Sequence, residues 1–259
     1  MQQSGNTYHI ADHSYYVEHI TEEDYDNRPT IVFLHDALGS VKSWKDFPIN
    51  LCRSLKLNGL LYDRLGHGFS EPYQGVWKKG YMEKEAFDVL PAVLAKFNVQ
   101  DPILLGISDG GSIALLYATQ YDQVTALISI AGHIKVEQET RLGVQQTIQE
   151  PINSKLISGL EKYHSDGASE LLYRWQSTWT SASFADWDIT KYLGQIKAPS
   201  LILQGEADGY ATFQHCYDIA AGIGTNAKAK ILPNCAHFPT QDQPIVIIEL
   251  VREFLNPLL

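Results

Sequence analysis

The chain has 259 residues, 44% of them hydrophobic and 19% charged, with a formal net charge of −10. That length and balance suit one full-sized globular α/β domain and argue against disorder, and the acidity excludes the basic face that nucleic-acid binding needs. No leader-like or membrane-length apolar run is seen and Cys52, Cys216 and Cys235 lack metal-ligand spacing, so a cytoplasmic protein is expected, with no cofactor, metal or membrane partner, a small-molecule substrate and an oligomeric state left open.

Residues 7–20 predict two short strands, rich in tyrosine and β-branched residues, with Asp12 marking a turn between them. The four-residue step from His9 to His13 would suit a metal only on a helix, so no metal pair is read there. The acidic stretch 21–28 ends at Pro29 and reads as a solvated hairpin or loop. Residues 30–34 (TIVFL) form a continuous apolar run, the pattern of a parallel strand buried on both faces. It empties into His35-Asp36-Ala37-Leu38-Gly39-Ser40. A helix over 44–55 and a buried strand over 59–63 follow, then a glycine-rich loop to Ser70 of the kind found at the carboxyl edge of such a sheet. The next helix, 83–97, sets Phe87, Leu90, Val93, Leu94 and Phe97 on one face, and Pro91 bends it.

A strand over 102–107 then runs into Gly106-Ile107-Ser108-Asp109-Gly110 and a helix over 111–121. G-x-S-x-G is the sharp strand-to-helix turn that lifts a serine oxygen clear of a parallel sheet, its small residues letting the backbone double back. With Asp109 as nucleophile the preceding small position would fall on Ile107, so Ser108 is the candidate. The motif alone also fits a glycine-rich helix start; a base, an acid and an oxyanion site must accompany it. Residues 124–131 give a further buried strand, and the succession predicts an open, mostly parallel sheet with right-handed crossovers.

From 133 to 191 no buried-strand run occurs, and the segment is helical and rich in aromatics. It reads as a helical insertion laid over the sheet. Most of its aromatics are expected to pack, and one or two to line a pocket; the candidates are Trp175, Trp179, Phe184 and Trp187. The sheet resumes at 200–204 and runs into Gly205-Glu206-Ala207-Asp208-Gly209. A helix over 212–221, a strand over 228–232 emptying into the His237 loop, and a closing helix over 244–255 complete the chain. Residues 1–132 and 192–259 are thus two parts of one core around the insertion.

Ser108, Asp208 and His237 stand in that order at the ends of three strands. With the His35 loop, the 63–70 loop and the Gly205-x-x-Asp208 turn, they make the chain resemble the α/β-hydrolase superfamily. The acidic loop followed by Ala-Leu-Gly-Ser and the Ser-Asp-Gly-Gly elbow also look like a subgroup of uncharacterised bacterial hydrolases. The resemblance implies an α/β-hydrolase fold, with a mostly parallel eight-stranded sheet flanked by helices and a helical cap inserted after strand 6. It implies Ser108 as nucleophile, His237 as base and Asp208 as the group orienting His237, in preference to Glu206. It also implies the backbone amides of Ala37 and Asp109 as the oxyanion hole. Asp36 stands where the family usually has glycine, so two carboxylates, Asp36 and Asp109, flank that hole. Either they turn away, towards Arg64, or they disfavour anionic substrates; His35 and Arg64 are read as braces.

The activity expected from this resemblance is acyl transfer from a small ester, thioester or lactone, without a cofactor. Carbon-carbon bond cleavage with the same triad would want a cationic anchor for an anionic substrate, for which Arg141 and Arg174 are the candidates. A ligand-binding or signalling homologue and a cofactor-free dioxygenase or haloperoxidase are the other expectations such folds raise.

Overall fold

The computed structural model describes residues 1–22, 28–164 and 167–259; most of the loop expected at 21–28 lies outside them. Eight strands form one sheet: β1 (Gln2–Ile10), β2 (His13–Thr21), β3 (Thr30–Leu34), β4 (Asn58–Tyr62), β5 (Ile103–Ile107), β6 (Ala126–Ile130), β7 (Ser200–Gly205) and β8 (Ala227–Leu232). Their spatial order is β1-β2-β4-β3-β5-β6-β7-β8. The hairpin β1–β2 and its junction with β4 are antiparallel, and every other pairing is parallel. Ile10 pairs with His13 across the turn at Ala11 and Asp12, so His9 and His13 sit on two strands rather than one helix face.

The parallel strands read as unbroken apolar runs because both their faces are covered. Val32, Leu34, Leu104, Leu127 and Ile202 project to one side, and Ile31, Phe33, Leu105, Ile128 and Leu203 to the other, the period of two that a pleated strand imposes. Helices α1 (Phe47–Leu55) and α10 (Pro244–Leu255) cover the second face, α10 through Ile247, Val251 and Leu255 at steps of one helical turn. The first face carries α2 (Tyr81–Lys84), a π-helical turn Glu85–Val89, α3 (Leu90–Lys96), α4 (Asp109–Gln120) and α8 (Phe213–Ile223). The bend expected at Pro91 takes the form of that π turn, since proline offers no N–H to the carbonyl one turn back and the extra residue absorbs the misfit. Each aliphatic side chain fully buried in these layers contributes about 1.5–3 kcal/mol, which makes the sheet the rigid part of the molecule.

The edges differ from the centre. β1 is longer than expected, exposed along most of its length and polar, and on the far edge β8 turns Lys228 and Lys230 outward. Charge of that kind discourages another sheet from pairing there.

Between β6 and β7 lie α5 (Gln138–Thr147), α6 (Ile152–His164), α7 (Ala168–Thr180) and a 3₁₀ stretch, Thr190–Gln195. An isolated bridge between Lys135 and Asp188 ties the departing chain to the returning one. No helix among the described residues is long and apolar enough to cross a membrane. Pro239–Asp242 forms the short helix α9 just after the His237 loop.

Candidate active site

Ser108 sits between β5 and α4 with φ of 52°, a left-handed conformation that a non-glycine residue adopts only where its surroundings enforce it. The two bracketing glycines make this possible. A Cβ on Gly106 would lie 2.1 Å from the Gly110 carbonyl oxygen, and one on Gly110 only 1.9 Å from that of Leu34. Gly110→Ala should therefore cost about 3 kcal/mol by overpacking, read as a lowered urea midpoint with an unchanged slope. The elbow is anchored by the Ser108 amide donating to Ile130 O (2.9 Å) and by Ser112 N donating to Ser108 O (3.0 Å).

His237 stands at the carboxyl end of β8, and its Nδ1 lies 2.9 Å from both carboxylate oxygens of Asp208, which follows β7. The Tyr210 amide donates to the same carboxylate at 2.8 Å. Burial alone would lower the His237 pKa, but the Asp208 carboxylate outweighs it and holds the imidazole above its ordinary value. The converse holds for Asp208: burial opposes its charge, and His237 beside it brings its pKa below the usual carboxylate value. The rival acid Glu206 turns elsewhere, accepting from the Asn234 amide at 3.3 Å. Ser108 and His237 line one cavity. Among the described residues no hydrogen bond joins them, a gap that such pairs commonly close only around substrate.

The loop after β3 is fixed by its own side chains. Arg64 Nη2 and His35 Nδ1 both donate to the carbonyl oxygen of Asp36, each at 2.8 Å. His35 Nε2 accepts from the Arg64 amide at 3.0 Å, so the proton sits on Nδ1. A trans peptide is planar, with C=O and N–H opposed. Holding the Asp36 carbonyl on the Arg64 side therefore turns the Ala37 N–H the other way, and Ala37 lines the cavity. Neither the Ala37 nor the Asp109 amide has an acceptor among the described residues, and the latter opens α4, where positive helix-end charge gathers.

The two flanking carboxylates behave differently. Asp109 is fully buried and turns towards Arg64, whose Nη1 lies 3.5 Å from Oδ2, and Tyr81 donates its hydroxyl to Oδ2 at 2.6 Å. Burial raises the Asp109 pKa against the opposing pull of Arg64. Asp36 meets Arg64 only through its carbonyl. Its carboxylate accepts from the Leu38 amide at 3.0 Å and borders the cavity.

The cavity has a volume of about 520 Å³ and lies between the carboxyl ends of the strands and the helices α5–α7, within the range of small-molecule sites. Of the four expected aromatics, Trp175 and Trp179 line it and Phe184 and Trp187 do not. The last two stack on each other at 5.6 Å behind Trp179, and Trp187 Nε1 donates to Glu83 Oε1 at 2.9 Å. They brace the wall because they are almost wholly enclosed in the core. Neither expected cationic anchor reaches the cavity. Arg141 donates to Thr180 O at 3.0 Å, and Arg174 donates to the carbonyls of Gly75 and Tyr73 at 2.9 Å while covering the Tyr73 ring.

Lining or supporting residues that the sequence does not single out include His133, Thr140, Lys155, Tyr210 and Tyr81. His133 could have been found, since it follows the end of β6 as His237 follows β8; Tyr81 reaches Asp109 only through tertiary contact. Among the described residues no cluster of three or more His, Cys, Asp or Glu side chains is arranged to hold a metal ion.

Comparison with known proteins places the chain in a family. A model of the alpha/beta hydrolase family matches residues 31–250. The chain is 25% identical to the AB hydrolase superfamily protein YisY of Bacillus subtilis (strain 168), over 92% of this chain and 97% of that one. Among solved structures it is similar to MGS-M2, an alpha/beta hydrolase enzyme from a deep-sea metagenome, with a TM-score of 0.78 and 20% identity over 97% of each chain. It is also similar to the enol-lactonase of Burkholderia xenovorans LB400, with a TM-score of 0.74 and 17% identity over 97% of this chain and 100% of that one.

Proposed function

Because the chain belongs to the alpha/beta hydrolase family, we propose that it is a serine hydrolase that cleaves a small, largely apolar ester, thioester or lactone through an acyl-enzyme. The observation that carries this reading is the His237–Asp208 pair at 2.9 Å, set in the same cavity as the strained Ser108. A serine hydroxyl is a weak nucleophile at neutral pH. His237 takes its proton as Oγ attacks the carbonyl carbon, then returns a proton to the leaving group; water repeats the sequence to free the acid. Asp208 keeps the Nδ1 proton in place, which leaves Nε2 free to act, and stabilises the imidazolium that forms. The free amides of Ala37 and Asp109 receive the oxyanion, each worth about 3 kcal/mol of barrier. We read α5–α7 as a cap that closes the cavity over the acyl chain.

The acidic side chain on the same cavity as Ser108 supports an uncharged reacting group. Asp36 keeps its carboxylate on the cavity while Asp109 is paired with Arg64, and both cap arginines are spent on backbone carbonyls. A lysine of α6, Lys155, lines the cavity instead, so carbon-carbon cleavage of an anionic ketone would anchor its substrate there. The test is a fluorophosphonate probe: it should label the wild type and fail on Ser108→Ala, with hydrolysis of a short ester lost in parallel. Equal labelling of both proteins would overturn the reading, and oxygen uptake persisting in Ser108→Ala would replace it with an oxygenase.

The pH dependence follows from His237. The base must be neutral, and its pKa is held above the ordinary value by Asp208, with smaller contributions from Asp36 and Asp109. The kcat/KM of the wild type should thus fall as pH drops through a value above about 6.5. Asp36→Asn should move that limb to lower pH, seen in kcat/KM profiles of the two proteins; an unmoved or raised limb would contradict the assignment.

A further inference from the structure

Helix α6 meets the core through its last residue. Ile152, Leu156, Leu160 and Tyr163, at helical spacing, line the cavity, so this face of α6 covers the site. The helix packs on α5 and α7. Among the described residues its hydrogen bonds to the core all pass through His164, which ends the helix and is 4% exposed. His164 Nδ1 accepts from the Gly68 amide at 2.9 Å, so the proton sits on Nε2, which donates to Leu38 O at 2.8 Å. Burial lowers the His164 pKa, in keeping with a neutral ring that accepts on one side and donates on the other.

Leu38 belongs to the loop that carries the Ala37 amide. Three imidazoles reach three successive carbonyls of that loop: His35 donates to Asp36 O, His67 Nε2 lies 3.0 Å from Ala37 O, and His164 donates to Leu38 O. The first two belong to the core and the third to α6. The far end of the loop is tied by Asp63, which accepts from the Val41 amide at 2.6 Å and from the Phe69 amide at 2.8 Å. Asp63 and His164 thus fasten the loop to adjacent residues, Phe69 and Gly68. Without the His164 imidazole, Leu38 O has no donor and the Gly68 amide no acceptor among the described residues.

We propose that His164 is a positioning residue for the reaction: by holding the Leu38 carbonyl it sets the Ala37 amide, so that the helix covering the cavity completes the oxyanion hole of the core. The proposal rests on the serine-hydrolase reading, in which Ala37 receives the oxyanion. Covalent geometry carries the effect, because the peptide joining Ala37 to Leu38 is planar and the held carbonyl lies one residue beyond the donor. A misplaced donor costs most where charge develops, in the transition state, and little in the bound ester. Turnover is thereby confined to molecules in which α6 is seated on the loop, with water kept from the acyl group by the same contact.

The test compares His164→Gln with His164→Phe in the whole chain, on p-nitrophenyl butyrate. Glutamine can donate to Leu38 O and accept from the Gly68 amide. Phenylalanine does neither and keeps a ring against His67, whose centroid lies 6.0 Å from that of His164. His164→Phe should lower kcat per mole of protein by about 100-fold, the cost of a donor moved by about 1 Å, with KM changed less than about threefold. Binding of butylboronic acid, whose tetrahedral adduct on Ser108 needs the same amides, should weaken in step. His164→Gln should recover most of both losses. Should His164→Phe fail to fold, His164→Leu, smaller and equally unable to make either bond, takes its place. A packing role alone would favour phenylalanine, so equal kcat in the two variants, a more active His164→Phe, or a raised KM with kcat unchanged would overturn the positioning role. The two readings fail differently. A wild type without Ser108-dependent hydrolysis rejects the hydrolase and the role of His164 with it, whereas Ser108-dependent hydrolysis with kcat unmoved in His164→Phe rejects the role of His164 alone.

Discussion

Ser108→Ala is expected to lower kcat on a short ester by about 10⁶-fold, leaving the residual acceleration over water that the oxyanion amides and substrate binding supply by themselves. The loss should come without loss of stability. Ser108 Oγ has no hydrogen-bond partner among the described residues, and alanine keeps the same Cβ at the same strained φ. Its removal takes away chemistry and no fold contact, so the unfolding free energy should change by less than about 0.5 kcal/mol. Steady-state kinetics beside a denaturation curve reads both numbers. Retained turnover would remove Ser108 from the reaction, and a collapsed midpoint would give it a structural role instead.

Asp208→Asn should lower kcat by about 10⁴-fold with little change in KM. Asp208 accepts from His237 Nδ1 and from the Tyr210 amide. An asparagine facing both can satisfy Tyr210 with its oxygen only by turning its NH₂ to Nδ1. That forces the His237 proton onto Nε2, where the ring can no longer accept from Ser108. Glu206→Gln is the matched control, because Glu206 holds the Asn234 amide and not the imidazole; kcat should change less than about twofold. Equal losses in the two variants would undo the choice of Asp208.

The parallel centre of the fold was legible because burial on two faces writes itself as runs such as TIVFL and SLILQ, and the candidate site was legible because strand ends are where those runs stop. What was hidden depends on partners distant in sequence. β1 begins earlier than expected since its polar residues show no amphipathic alternation; backbone pairing with β2, not side-chain pattern, makes it a strand. Phe184 and Trp187 share the composition of Trp175 and Trp179, and only the stacking of the first two behind Trp179 separates wall from brace. The choice between Glu206 and Asp208 similarly needed the path of the His237 loop. The two carboxylates left open by the sequence took both routes at once: Asp109 faces Arg64, while Asp36 keeps its carboxylate on the cavity.

The peptide between Asp36 and Ala37 is gripped by Arg64 and His35 at its carbonyl, which makes it behave as a vane with two settings rather than as a tunable donor. Rotated half a turn, the same unit would present a carbonyl dipole to the cavity and repel the oxyanion that we propose it receives. Any turn away from the present setting gives up the hydrogen bonds from Arg64 and His35. Damage to this loop should therefore divide the molecules into an active and a silent population, so that titration with a tight active-site label would count fewer competent sites, each still working at its full rate.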